Sequence, residues 1–292
     1  MERHSVQRNH EAKGQVSDGA LDKALKVLEA LIDGAPASSL AEIAASAGLA
    51  KPTTHRILQT FVARRYARTG GDGLYQPGSQ ILALAGHVLL TLDYARHARP
   101  ALLELQESIP ETVHFGVLQG HEVVYAEKLD GLRAFRMAST VGMRLTVHST
   151  SVGKVILANL PPDERELILT NRPLVARTAR TITDRDKLDA ELELILAQGY
   201  ACDDEENEEG IRCLGAAVFG NLGTVIGGVS VSVPAFQFPR ERFDEYSLLV
   251  RRAAFDISSS LGCPASVLSR NERLLAPAQA RLALIAAGSV GE

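Results

Sequence analysis

The sequence predicts an α+β chain in two parts: an N-terminal winged helix-turn-helix with a linker helix, then a larger domain on an antiparallel sheet. Three observations predict it. Residues 21–61 carry apolar residues at helical spacing, cut by glycine and proline into three short runs. Residues 66–78 then place a glycine cluster between short stretches that end in tyrosine, a hairpin signal. Beyond residue 110 the apolar period shortens to two, and helical stretches separate pairs of strands.

These signals imply five segments. A tail over 1–20, expected to be mobile, precedes the winged helix-turn-helix over 21–78 and a linker helix over 79–93. The larger domain covers 94–262, and 263–292 is a C-terminal extension with a possible helix over 274–287. At 292 residues the chain is long enough for two domains, and its 46% hydrophobic and 23% charged composition is that of a soluble globular protein. The first twenty residues are polar and lack the apolar core of a secretory signal. The longest apolar run, over 81–92, is interrupted by Gly86 and His87 and too short to span a bilayer, so no membrane partner is expected. Cys202, Cys213 and Cys263 show no metal-type spacing, which fits a reducing cytoplasm; neither metal nor other cofactor is expected.

In the first run Leu21, Ala24, Leu25, Leu28, Leu31 and Ile32 share a helical face, ended by Gly34 and Pro36. Ser39 followed by Glu42 is a capping-box pattern for a second helix, which buries Leu40, Ile43, Ala44 and Ala47 before the turn at Gly48. The third helix, KPTTHRILQTFVARR, tolerates Pro52 in its first turn. Ile57, Leu58 and Phe61 face inward with Thr54 at the edge, leaving Thr53, His55, Arg56, Gln59 and Thr60 outward. YARTGGDGLYQPG is the wing.

The net charge of −4 hides an asymmetry: no acid occurs between Glu42 and Asp72, where Lys51, His55, Arg56, Arg64, Arg65 and Arg68 all lie. Phosphate binding depends on the local patch rather than on the total, so double-stranded DNA is the expected partner. Lys51, Thr53, His55 and Arg56 sit on the first turns of the third helix, which in such folds approach the bases, and Arg56 suits a guanine. Arg64, Arg65 and Arg68 suit phosphates.

In the larger domain a helix over 95–107 stops before Pro110. TVHFGVLQ and EVVYAEKL flank Gly120 and His121 as a hairpin, AFRMAST is a third strand, and CLGAAVFG and TVIGGVSVSV are two more. Helices are expected over 152–159 and 187–198.

The segments LAEIAASAGLAKPTTHRIL, ETVHFGVLQGHEVVYAEKLD, VHSTSVGKVILA, TITD and GYACDDEENEEGIRCLGAAVF, in this order, resemble the IclR family of bacterial transcriptional regulators over 21–262. The resemblance implies a GAF-like C-terminal effector domain binding a small organic acid, in a repressor or activator, the former favoured, that acts on a DNA operator as a homodimer or homotetramer. It implies an effector site at Ser151, Val152, Asp203, Cys213, Ser230 and Ser232. The residues agree in part: Ser149 or Thr150 can cap a helix whose free N–H groups attract anions, and Ser230 and Ser232 share one strand face. A strand whose polar face meets solvent is the plainer reading of the two serines. Thr146, Ser151, Asn207 and Ala217 depart from the family's usual proline, alanine, aromatic and proline; Ser151 and Asn207 make the rim more polar. In the third helix Pro52 and Thr54 replace a usual serine and valine.

Other chemistries fit less well. Ser151 and Lys154 match S-x-x-K, but neither S-D-N nor K-T-G follows. SVGK lacks the first glycine of a phosphate loop. Cys213 with His114, His121 or His148 would make a nucleophile and base, so a hydrolase using Cys213 or Ser151 is the alternative, as is a regulator without ligand response. No catalytic residue is assigned. The acidic run ACDDEENEEGIRC has Glu208 where a calcium loop from Asp203 needs glycine. It reads as a pocket rim, with most of 205–209 solvated and Lys154 either exposed or paired to it.

Overall fold

The computed structural model describes residues 19–70, 72–90, 93–132 and 136–288, and the chain divides into two compact units after Leu92. All but the end of the expected tail lies outside these residues; Ala20 already opens the first helix.

The first unit holds α1 (Ala20–Asp33), α2 (Leu40–Ser46), α3 (Lys51–Ala63), the strands β1 (Ala67–Thr69) and β2 (Tyr75–Pro77), and α4 (Ser79–Leu90). The capping box forms: Ser39 Oγ accepts the Glu42 N–H at 3.3 Å, and Glu42 Oε2 accepts the Ser39 N–H at 2.8 Å. The strands pair antiparallel, Thr69 opposite Tyr75, making the wing. Ser38 and Tyr75 exchange backbone hydrogen bonds of 2.9 and 2.8 Å, tying the α1–α2 connection to it.

Val27, Ala30, Leu31, Ile43, Leu58, Ala67 and Tyr75 form the core of this unit. The expected α1 face is only partly the buried one. Leu31 is buried, but Leu21 is 75% exposed, and Leu25 and Ile32 also face out. Apolar residues extend around more than one side of this helix, and close approach selects the side bearing the smaller Val27 and Ala30. Thr54, expected at the edge of α3, is fully buried, its hydroxyl donating to the Ala50 carbonyl at 3.3 Å.

The second unit begins with α5 (Tyr94–Ser108), β3 (Thr112–Gln119), β4 (Glu122–Leu129) and β5 (Arg144–Leu145). It continues through α6 (Ser151–Asn159), α7 (Pro162–Asn171), α8 (Arg185–Gln198), β6 (Ala201–Asp204), β7 (Ile211–Phe219) and β8 (Val225–Pro234), and closes with α9 (Phe243–Ser260) and α10 (Ala265–Gly288). The sheet runs β5-β4-β3-β8-β7-β6, antiparallel throughout. The helix α6 lies against β7 and β8 with α8 behind it, while α9 covers the same strands and meets α5. Central strand β8 is buried on both faces from Gly227 to Pro234.

Glycine sets how closely α6 approaches. A Cβ on Gly215 would stand 3.0 Å from Ser151 Oγ, and one on Gly228 would stand 3.0 Å from Val155. The helix therefore starts directly over the strand positions occupied by Cys213, Ser230 and Ser232.

Four expectations need correction. In AFRMAST, Ala134 and Phe135 lie outside the described residues and 136–140 form no strand; the pairing with β4 is made by Arg144 and Leu145. The acidic run opens as β6, with Ala201 and Asp203 buried and Cys202 and Asp204 half-buried, so the alternation is present but carried by acids. The helices α7 and α9 were not anticipated. The buried side of α9 includes Ser247, Arg251, Ala253, Ala254 and Ser258, too polar and small to show an apolar period. The extension is helical from Ala265 rather than only from 274.

Candidate functional site

On the first unit, Lys51, His55 and Arg56 are exposed on the opening turns of α3 with Thr53 half-buried beside them. His55 and Gln59, one turn apart, approach to 3.3 Å and so present their polar ends together. Arg64, Arg65 and Arg68 are exposed where α3 runs into the wing. Arg65 takes a left-handed φ of 63°, turning the chain sharply, and there is no room for a Cβ at Gly78, 2.2 Å from the Arg65 carbonyl oxygen. Among the described residues none of these cations is paired with a carboxylate. The surface is thus basic, uncompensated and set on a fixed helix and hairpin.

In the second unit Ser151, Val152, Asp203, Cys213, Ser230 and Ser232 all line one cavity of about 70 Å³. The sheet register explains this: Asp203 pairs with Cys213, Cys213 with Ser232, and Gly215 with Ser230, so their side chains share the face beneath the start of α6. Thr150, not Ser149, caps that helix, accepting the Gly153 N–H at 3.1 Å. Ser149 instead bonds Thr146 and the Asn207 side chain, fastening the approach to α6 to the acidic loop. Tyr125, Ser139, Leu145 and Ile211 complete much of the wall and carried no sequence signal.

The acidic run proves to be largely tied down. Asp203 Oδ1 accepts the N–H groups of Glu206 and Asn207 at 2.8 and 3.2 Å. Asp204 is ion-paired to Arg212 at 2.5 Å and Arg240 at 2.7 Å. Glu206, expected in solvent, is buried, and so is Lys154, whose ammonium lies 2.5 Å from Glu206 and 3.2 Å from Glu191 on α8. Only Glu208 and Glu209 among the acids of the run are exposed. Burial would depress the Lys154 ammonium, but the two carboxylates outweigh it and hold it above its ordinary value. Burial, with Glu206 close by, pushes the Asp203 carboxyl up to about 7.

The cavity chemistry does not suit nucleophilic catalysis. Between Cys213 and His114 stands Ser232, 3.1 Å from the sulfur and 3.4 Å from His114 Nδ1. Burial pushes the Cys213 thiol well above its ordinary value, and burial with nearby Lys128 pushes the His114 ring down to about 3. The thiol therefore stays protonated, without thiolate or charged partner. Lys154 is engaged by Glu206 and Glu191 and is no base for Ser151. His114, stacked on Tyr125 at 4.3 Å and bonded to Ser139 at 2.7 Å, is instead a rigid strut behind the cavity.

Beside this cavity, and sharing Met143, Leu145, Asn207 and Glu208 with it, opens a cleft of about 420 Å³. Its walls bring together Arg144, Arg172, Arg177, His121 and His148 with Glu122. Glu122 bonds Arg144 at 2.9 Å and Arg172 at 3.1 Å. His148 is buried, its Nε2 donating to the Val175 carbonyl at 3.1 Å.

Comparison with known proteins gives the family. A model of the IclR helix-turn-helix domain matches residues 20–71, and one of the bacterial transcriptional regulator IclR C-terminal domain matches 86–259. The chain is 36% identical to the HTH-type transcriptional regulator KdgR of Escherichia coli over 224 residues, 76% of this chain and 85% of that one. The crystal structure of Agobacterium tumefaciens repressor BlcR superposes with a TM-score of 0.65 at 28% identity, over 83% of this chain and 96% of that chain. An IclR homologue from Microbacterium hydrocarbonoxydans, complexed with 4-hydroxybenzoate, does so with a TM-score of 0.53 at 27% identity, over 83% and 99%. The chain therefore belongs to the IclR family of bacterial transcriptional regulators, with an N-terminal helix-turn-helix that binds DNA and a C-terminal effector domain, and is a regulator rather than an enzyme.

Proposed function

We propose that this regulator is a repressor whose hold on its operator is set by a small organic acid in the effector domain, and that it works in the cytoplasm as a homodimer or homotetramer. In this reading Lys51, Thr53, His55 and Arg56 read bases, while Arg64, Arg65 and Arg68 grip phosphates. The supporting observation is the acid-free, unpaired basic surface of α3 and the wing. The effector site is the cavity that Ser151, Val152, Asp203, Cys213, Ser230 and Ser232 line together. Support for an acid is the 4-hydroxybenzoate in the Microbacterium homologue, and support for repression is the name of the Agobacterium one.

The test is binding to DNA upstream of the protein's own gene, titrated against non-specific competitor at several salt concentrations, with and without carboxylic acids. Saturable, competitor-resistant binding that an acid weakens supports the reading. Binding that is specific but indifferent to every acid refutes the effector part, and binding no better than competitor refutes the operator part.

A further inference from the structure

The inner cavity carries a carboxylate without a cation of its own. Asp203 lines it and is 2% exposed, and among the described residues no lysine or arginine lines it. Asp203 Oδ1 is committed to the N–H groups of Glu206 and Asn207. Oδ2 accepts no hydrogen bond among the described residues and is the oxygen left to meet a ligand. The neighbouring elements do not supply the missing cation. The loop of Asp203 brings Glu206 and Glu208, and β6 brings the Cys202 thiol, which burial pushes up to about 12. Cys213 on β7 and Tyr125 on β4 are kept neutral by burial, as is His114 on β3 behind Ser232 of β8. From α6 comes Lys154, but its ammonium is divided between Glu206 and Glu191 of α8, and Glu206 Oε2 still lacks a hydrogen bond. Asp203, Glu206 and Glu191 therefore stand as three carboxylates against one ammonium. Arg212 and Arg240 are taken by Asp204, which strand alternation turns to the other face of β6, and the arginines of the adjoining cleft line that space and not this one.

A carboxylic acid that enters this cavity brings a further carboxylate against Asp203. The start of α6 attracts one negative charge there and does not offset two. Two carboxylates that share a site without a cation do not both ionise; one proton stays with the pair. Burial, with Glu206 close by, already holds the Asp203 carboxyl at about 7, so the ligand-free chain is close to half ionised at neutrality. A bound anion raises that value further.

Resting on the effector reading above, we propose that acid binding is proton-linked: the anion enters together with one proton from solvent, which ends shared between the ligand carboxylate and Asp203 Oδ2. No covalent bond changes, and the complex carries one negative charge fewer than the ionised protein and the anion apart. Below the folded value of Asp203 the proton is already in place and affinity is level. Above it, each pH unit weakens binding about tenfold, because the proton has to be drawn from solvent. The regulator then reads acid and acidity together: at one acid concentration its operator is released more fully at low pH than at high.

The experiment is titration calorimetry of the full chain with glycolate, succinate, gluconate and 4-hydroxybenzoate, and with the neutral amide of whichever acid binds. It runs from about pH 6 to about pH 8 in phosphate and in Tris, whose heats of ionisation differ, and is repeated for Asp203→Asn. For an acid that binds, the Kd should rise about tenfold across this range, with close to one proton taken up per acid at the upper end, read from the difference between the buffers. The amide donates an N–H to ionised Asp203 and should not weaken as pH rises. In Asp203→Asn the Kd for the acid should be level across the range and proton uptake absent. The buffer difference in the parent tests the linkage without any variant. An acid that binds the parent with a level Kd and no proton uptake overturns the linkage while leaving the effector reading intact. Proton uptake undiminished in Asp203→Asn overturns Asp203 as the group that holds the proton. No binding by any of the four acids at any pH overturns the effector reading and the linkage with it.

Discussion

Replacing Asp203 by asparagine should remove a pH dependence from the stability of the effector domain. The carboxyl is 2% exposed and titrates near 7 in the folded chain against 3.8 when free. Its folded value is raised, so the folded state holds this proton more tightly than the unfolded one. Stability from this group is therefore greatest near pH 4 and falls as pH rises towards 7, above which the folded chain carries a buried charge. Taking 1.36 kcal/mol for each factor of ten in proton affinity, the displacement from 3.8 to about 7 amounts to about 4 kcal/mol. Asparagine keeps an oxygen for the N–H groups of Glu206 and Asn207 and carries no charge. The assay is urea unfolding followed by far-UV circular dichroism at intervals from pH 4 to pH 8, for both proteins. Other carboxylates titrate in each, so the informative quantity is the difference between the two curves. That difference should shift in favour of the variant by up to about 4 kcal/mol between pH 4 and pH 8. Parallel curves, or a variant that loses ground as pH rises, would refute the argument.

Lys154→Met should destabilise the second unit by about 3–5 kcal/mol in urea, because it leaves Glu206 buried without its cation; adding Glu206→Gln should restore more than half. Gly153→Ala places a Cβ 2.3 Å from the Val147 carbonyl oxygen and should cost about 3 kcal/mol in the same assay. Ser39→Ala should cost the first unit about 1 kcal/mol through loss of the capping box, read as a lower urea midpoint. Arg68→Ala should reduce the slope of log affinity against log salt by about 0.9 with site preference unchanged, whereas Arg56→Ala should chiefly reduce discrimination between sites.

The parts of the fold legible in the sequence are those fixed by short-range rules. The capping box at Ser39 and Glu42 and the hairpin around Gly120 are set within a few residues, and each forms. The strands β7 and β8 announce themselves by β-branched residues and by the period-two serines that end in one cavity. What was hidden depends on partners far away in the chain. Glu206 reads as one acid among several until α6 brings Lys154 beside it, fifty-two positions away, and α8 adds Glu191. The outer cleft is assembled from the β5 segment and the 172–177 segment, neither of which has a period, so nothing in the sequence singles out its arginines. The face of α1 was misjudged for a related reason: which apolar stripe is covered depends on the shape of α2 and α3, not on the pattern of α1 alone.

The helix α6 does two jobs that these distant contacts join. Its first turn, with Ser151 and Val152, forms one wall of the inner cavity, and one turn further on Lys154 holds Glu206 in the loop that forms the opposite rim. The rim is pinned again at Asp203 by its own backbone and at Asp204 by Arg212 and Arg240. Positions 203, 204 and 206 are consequently anchored to the sheet and to α6, while the side chains of Asn207 and Glu208 reach both the cavity and the cleft. Asn207 is held as well, its side-chain oxygen accepting the Ser149 hydroxyl at 3.3 Å and its N–H donating to Asp203 at 3.2 Å. Cutting the Lys154–Glu206 link would remove the ion pair that ties α6 to that rim.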